Sequence, residues 1–259
     1  SSETYRYVID QCGKIKGYQG NRKEKYRHNL MLYEDTANID LDNYRNSVTV
    51  GFRKGNTQRN TTPDMSMNVI KSSIDTLQSM VEERGVRPFL NLKKGQYRDV
   101  RITRIAQHFF DQYSDKVGLA KIVSSVFKNS AIFDTGWARI EGKEILNVLP
   151  WQVYVDPAEE VYGKITKLYY ERKQYPSTLV TDFKPKTDEV TLGEYWDILK
   201  GIHARFYESG EMFVEKWDKP IPFKKLSYSS PVLKGCNSVA DSLRSIQLEI
   251  NFLLNAVKD

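Results

Sequence analysis

"SVADSLRSIQLEINFLLNAVKD", residues 238–259, closes the chain. Val239, Leu243, Ile246, Ile250, Leu253 and Val257 are spaced by four, three, four, three and four residues, so an α-helix collects them into one apolar stripe. Ser238 and Asp241 have the spacing of a capping box: the serine oxygen accepts an amide hydrogen of the first turn, and the carboxylate sits at the positive end of the helix dipole. Asn237 is a rival cap. No glycine, proline or polar cluster follows Val257, and the chain opens on Ser1. The sequence therefore reads as a segment of a longer polypeptide, whose last helix needs apolar partners from elsewhere.

Upstream of this helix the hydrophobic period is two. "WARIEGKEILNVLP" (137–150) reads as a hairpin turning at Glu141-Gly142. "WQVYVDP" (151–157) is a strand that Pro157 must stop, and "KITKLYYERKQYP" (164–176) is another. Residues 177–183 suggest a helical turn, and "TDFKPKTDE" (181–189) a loop. "TLGEYWDIL" (191–199), "IHARFYESGE" (202–211) and "MFVEKWDKPI" (212–221) make a meander of short strands. "PFKKLSYSSPVLKG" (222–235) links them to the final helix.

Before residue 136 the period is helical. "YRYVIDQCGKIKGYQ" (5–19) is a short helix ending near Gly13 or Gly17. The next helix, "NRKEKYRHNLMLYEDTA" (21–37), takes Asn21 as its cap and carries Tyr26, Leu30 and Tyr33 on one face. Residues 39–64, including "RKGNTQRNTTPD" (53–64), form a loop by composition. "MNVIKSSIDTLQSMVEERG" (67–85) places Ile70, Ile74, Leu77 and Val81 on a stripe, with Gly85 after its last turn. "VRPFLNLKKG" (86–95) reads as a short edge strand, since Pro88 cannot donate to a ladder. A helix from Asp99 to Tyr113 would bury Ile102, Ile105, Phe109 and Tyr113. Ser114 and Asp115 interrupt it, and a further helix with Leu119, Ile122, Val126 and Phe127 ends near Thr135-Gly136. Helices, then antiparallel strands, then one long helix make an α+β fold rather than a βαβ alternation. The domain reading is an N-terminal pair of helices with a loop arm over 1–64, an α+β domain over 65–233, and the start of a long helix over 234–259.

Composition narrows the function classes. The chain has 259 residues, net charge +6 and 12% aromatic residues, too aromatic for a disordered chain. No apolar run reaches the ~18 residues of a membrane span. Acids and bases are interspersed, which permits nucleic-acid contact without demanding it. Lys23, Lys25 and Arg27 form a basic cluster, read as a solvated helix face or, more sharply, as a phosphate contact. Arg53, Lys54 and Arg59 in the loop would meet solvent, a neighbouring chain or nucleic acid. Cys12 and Cys236 read as free thiols. His28, His108 and His203 share no spacing and are read as structural. No phosphate loop, zinc motif or nucleophile elbow occurs. Asp156 before Pro157 reads as a turn former whose side chain bonds local amides. Tyr169, Tyr170, Trp196, Phe206, Tyr207 and Trp217 would stack bases on an open sheet face, but strand alternation favours a core role. The sequence calls for no catalytic residue, metal or cofactor.

Three stretches taken together resemble the portal proteins of tailed bacteriophages. "MNVIKSSIDTLQSMV" with "RPFLNL" resembles the early wing helix and strand of that family. "KNSAIFDTGWARIE" with "VLPWQVYVDP" resembles its small-residue helix, glycine turn and strand ending in Asp-Pro. "LKGCNSVADSLRSIQLEINFLL" resembles the start of its stem helix, with Gln247 and Asn251 as the Gln-x-x-x-Asn pair. The likeness covers about residues 65–259. It implies a portal-like wing plus a partial stem, in a non-enzymatic ring, usually of twelve copies, at one capsid vertex. The implied partners are further copies of itself, double-stranded DNA in the channel, terminase, neck or adaptor proteins and the major capsid protein, with no membrane. The implied location is the virion, and the host cytoplasm during assembly. The family's clip, second stem helix, tunnel loop and crown have no counterpart in the sequence.

Twelve helices at ~10 Å spacing make a ring ~38 Å across. Subtracting a helix diameter of ~10–12 Å leaves roughly 26–28 Å, room for a duplex. On this reading Leu243, Ile246, Ile250 and Leu253 are buried between helices. Gln247 and Asn251 either bond a helix of the adjacent subunit or face solvent. Two alternatives stand beside it: a neck, adaptor or other ring-forming virion protein, and a basic nucleic-acid-binding domain of an enzyme.

Overall fold

The computed structural model describes residues 2–35, 67–85, 89–92, 97–174, 190–207, 212–228 and 238–256. In chain order these form α1 (Ser2–Tyr18), α2 (Gly20–Glu34), α3 (Val69–Arg84), α4 (Tyr97–Val117), α5 (Leu119–Phe133), β1 (Thr135–Glu141), β2 (Glu144–Val148), β3 (Val153–Val155), α6 (Pro157–Tyr162), β4 (Lys167–Gln174), β5 (Val190–Asp197), β6 (Ile202–Tyr207), β7 (Met212–Lys216), β8 (Phe223–Ser227) and α7 (Val239–Ala256). The fold is α+β, with a helical N-terminal part, an antiparallel strand-rich middle and a long C-terminal helix. The loop reading at 39–64, with Arg53, Lys54 and Arg59, lies outside the described residues. So do the turn and loop readings at 177–189, and Cys236, Asn237 and Val257.

The helical readings shift in detail. α1 runs through both Gly13 and Gly17, and α2 starts at Gly20, so Asn21 lies inside it rather than capping it. Gln19 separates the two helices and donates from Nε2 to the Val155 carbonyl at 2.8 Å. α4 passes through Ser114 and Asp115; the break comes at Gly118, which takes the left-handed φ of 68° that its lack of a Cβ permits. Residues 89–92 form no strand: their described neighbour is α4, where Gln107 Oε1 accepts from the Leu90 amide at 3.0 Å. α5 stops at Phe133, two residues before the expected Thr135-Gly136 end, and Asp134 turns the chain into β1 at φ 72°.

The strands form two antiparallel sheets, ordered β2-β1-β8 and β3-β4-β5-β6-β7. The expected β1–β2 hairpin is present. Glu141 faces Glu144, so Gly142 and Lys143 are the two loop residues, with Gly142 at φ 61°. The segment read as a link to the last helix contains β8, whose Ser227 pairs with Thr135 and Phe223 with Arg139. Asp156 caps α6, accepting from the Ala158 amide at 2.8 Å, the local bond its sequence context predicts.

Three cores follow. The first gathers Tyr26, Leu30 and Tyr33 of α2, Ile70 and Ile74 of α3, Ile132 and Phe133 of α5, and Val239 of α7. The second lies between the sheets and contains Trp137, Val148, Val153, Leu168, Tyr170, Trp196 and Phe223. The third packs Val8, Cys12 and Ile15 of α1 on Tyr154, Tyr169 and Tyr195. Both faces of the five-stranded sheet are thus covered: Tyr169 points to α1 and Tyr170 to the other sheet, so alternation buries both. The aromatic strands are core, not an open stacking platform.

Two sets of buried charges cross between these layers. Arg139 of β1 donates through Nη1 and Nη2 to the carboxylate of Glu194 on β5, at 2.8 and 3.0 Å. The Tyr170, Trp196 and Phe223 rings surround the guanidinium. Burial works against the Glu194 charge, but the His203 ring and Arg139, with Arg172 beyond, outweigh it and hold the carboxyl down at about 2. His203 bonds Glu215 at 2.5 Å and stacks on Trp196, a structural position. Elsewhere Glu160 of α6 binds Arg22 of α2 and Lys225 of β8, each at 2.7 Å.

Candidate assembly interface

α7 is fixed to the body at two places. At its first turn the expected capping box forms in full. Ser238 Oγ accepts from the Asp241 amide at 3.1 Å, and Asp241 Oδ2 accepts from the Ser238 amide at 3.1 Å. Asn29 of α2 donates to Ser238 Oγ at 3.0 Å and to the Ile132 carbonyl at 2.9 Å, and Lys25 pairs with Asp241 at 2.9 Å. The helix start is therefore tied to α2 and α5 by buried polar groups as well as by Val239 and Ala240.

The second fixture is Gln247, 4% exposed. Its Oε1 accepts from the amides of Val69 at 2.7 Å and Ile70 at 3.4 Å. Its Nε2 donates to the Met67 carbonyl and to Asn251 Oδ1. The Val69 and Ile70 amides are orphan donors of the α3 N-terminus, which a helix leaves without an intrahelical partner; the Val69 amide also reaches the Met67 carbonyl at 3.1 Å. Asn68 completes the joint: Oδ1 accepts from the Lys71 amide at 2.8 Å, and Nδ2 donates to the Leu32 and Tyr33 carbonyls that end α2. Gln247 therefore joins α7 to α3 inside one chain, and Asn251 supports it. Neither is the solvent-facing pair of the sequence reading.

The apolar stripe of α7 divides. Leu243 packs on the first core and Ile250 is half-buried. Ile246 is 47% exposed and Leu253 55% exposed, so these two are not buried within the chain. The buried arc is rotated toward Ala240, Leu243, Gln247 and Leu254, a second three-and-four spacing that a polar residue at its centre conceals. Leu248 and Phe252 also face outward.

A second unpartnered face belongs to α4. Ile102, Ile105 and Phe109, expected in the core, are exposed, at 54%, 63% and 68%. α4 rests on α5, and its stripe looks away from it. Arg101 and Arg104 flank the stripe and are exposed. Between the last turns of α4 and the β1–β2 hairpin lies an apolar groove of about 950 Å³, walled by Phe109, Phe110 and Tyr113 on one side and by Ile145 and Leu146 on the other. Tyr113 donates its hydroxyl hydrogen to the Lys143 carbonyl at 2.8 Å and so ties the hairpin tip to the helix. Contiguous apolar surface of this kind marks an interaction site.

The basic cluster of α2 is largely engaged. Lys25 is paired with Asp241, Arg27 bonds Glu24 at 3.2 Å, and Lys23 is half-buried. His28 and His108 are exposed, and Cys12 is buried. Among the described residues no group of histidines, cysteines and acids could hold a metal ion, and no helix is long and apolar enough to cross a membrane. No protein-family model matches the chain, and no curated protein matches it.

Proposed function

We propose that this chain is a subunit of a viral portal ring. In that role, copies of it, twelve in the usual arrangement, surround a channel at one capsid vertex. DNA enters and leaves through the channel, and the ring docks terminase and then neck proteins beside the major capsid protein. The role is structural, with no catalytic residues and no cofactor.

The observation that carries this reading is the division of α7. Its N-terminal half is anchored by the capping box and Gln247, while Ile246, Leu248, Phe252 and Leu253 stand in solvent. Full burial of such a side chain from full exposure gains roughly 1.5–3 kcal/mol, and these four keep about half or more of their surface exposed, so the helix is suited to neighbours that cover it. The three stretches of likeness to portal proteins point the same way, and α7 carries the third of them. The near-balance of charge along the helix, Arg244 against Asp241 and Glu249, suits a passage where DNA must slide, because dense Lys/Arg contacts would add affinity through counterion release.

Single-particle imaging of the intact protein tests the proposal. A twelve-fold ring with a central opening is the expected result. A shell, or a ring without a passage, would favour another virion role. A protein that stays solitary at high concentration and in particles sinks the reading.

A further inference from the structure

Resting on the ring reading above, we propose that the two turns Ile246–Leu253 of α7 dock in the groove between α4 and the β1–β2 hairpin of a second copy of this chain. Four observations converge on that occupant. The first is size. The α4 wall of the groove, from Phe109 to Val117, runs for about 12 Å at 1.5 Å per residue, and the outward face from Ile246 to Leu253 runs for about 11 Å.

The second is chemistry. The groove walls are apolar and aromatic, and Lys116 and Lys143 stand at its rim beside a single acid, Glu144. On α7, Glu249 lies between Ile246 and Leu253 on the outward face and is exposed. Apolar residues flanking an acid thus meet an apolar groove with a basic rim. Contact between two α4 helices would instead set Arg101 and Arg104 against their own copies, which like-charge repulsion disfavours.

The third is preorganisation. The Tyr113 hydroxyl bond to the Lys143 carbonyl holds the groove open without a ligand, so little ordering cost remains at docking. The fourth is topology. Within one chain α7 lies on α2, α3 and α5, its outer residues are exposed and the groove is open, so donor and acceptor do not meet. Two different surfaces pairing head to tail form a heterologous contact, which closes into a ring when the rotation permits.

The test is photocrosslinking of the intact, assembled protein carrying Phe109→p-benzoylphenylalanine. Irradiation should give covalent dimers in which position 109 is joined to the tryptic peptide Ser245–Lys258. Leu253→Asp, at an exposed position, should leave the thermal melting of the chain unchanged and cut the assembled fraction by about tenfold or more. Rings that form normally in Leu253→Asp, or crosslinks mapping only to other peptides, overturn the docking and leave the ring reading intact. A protein that never associates removes both.

Discussion

Gln247 bonds four groups from one neutral side chain. Replacing it with Ala removes the acceptor of the buried Ile70 amide and leaves the Val69 amide and the Met67 carbonyl only their 3.1 Å bond to each other, at about 1–3 kcal/mol. Urea unfolding should show that loss with little change in slope. Arg139 and Glu194 behave differently because both are charged. Arg139→Met strands a buried carboxylate and should cost about 3–5 kcal/mol. Adding Glu194→Leu should recover much of that loss, and a double-mutant cycle in urea reads the coupling. Cys12 gives a third residue-level expectation. Burial, with the Glu171 charge nearby, pushes its thiol up to about 12, so thiol reagents should label it only after unfolding. The Gln247 joint and the Arg139–Glu194 pair are not legible in the sequence, whereas the free thiol of Cys12 is. A glutamine amid apolar residues, an arginine in a hairpin and a glutamate in an aromatic strand acquire partners 55 to 180 positions away, and local pattern carries no trace of such pairs.

At the scale of elements, α5 and β1 approach closely at Gly136. A Cβ on Gly136 would stand 2.1 Å from the Val126 carbonyl oxygen, which is backbone. A Cβ on Gly193 of β5 would meet the Phe206 ring at 2.4 Å, a side chain able to swing. Gly136→Ala should therefore lower the melting temperature more than Gly193→Ala, with overpacking costs of about 1–3 kcal/mol for the milder case; calorimetry of the two variants gives the order. Element type was well written in the chain. The stripes of α2 and α3, the β1–β2 hairpin, the capping box and the α6 cap all follow from spacing and turn chemistry. Two of the misreadings have a clear physical reason. β8 hides behind Lys224, Lys225 and Ser227, polar residues tolerated on a sheet edge. The α4 stripe has a faultless helical period, yet period reports only that a face is apolar, not that the same chain covers it.

Across the whole molecule, carboxylates hold separate layers together. Glu194 binds the two sheets, and Glu160 binds α2, α6 and β8. Burial raises both acids, but their cationic partners prevail and both end below the ordinary glutamate range, Glu194 moving from 4.5 to about 2. A depressed folded-state value means the unfolded chain binds protons first. The stabilisation is complete above about pH 4.5 and is lost progressively as pH falls toward 2. Urea midpoints measured across that window should fall with acid, and the Arg139→Met, Glu194→Leu pair should flatten the decline. The α+β class was legible from the order of periodicities alone, whereas the division of the strands into two sheets was not, because β1 and β5 meet through tertiary packing that no strand announces.

The joint between α7 and α3 consists of uncharged amides, unlike the salt bridges around it. Ionic strength that loosens the half-buried pair of Lys25 with Asp241 leaves the Gln247 bonds untouched. The direction in which the last helix leaves the body is therefore set by a hinge pin that is blind to its medium, and the pose would stay constant through a change of surroundings that reshapes the charged contacts.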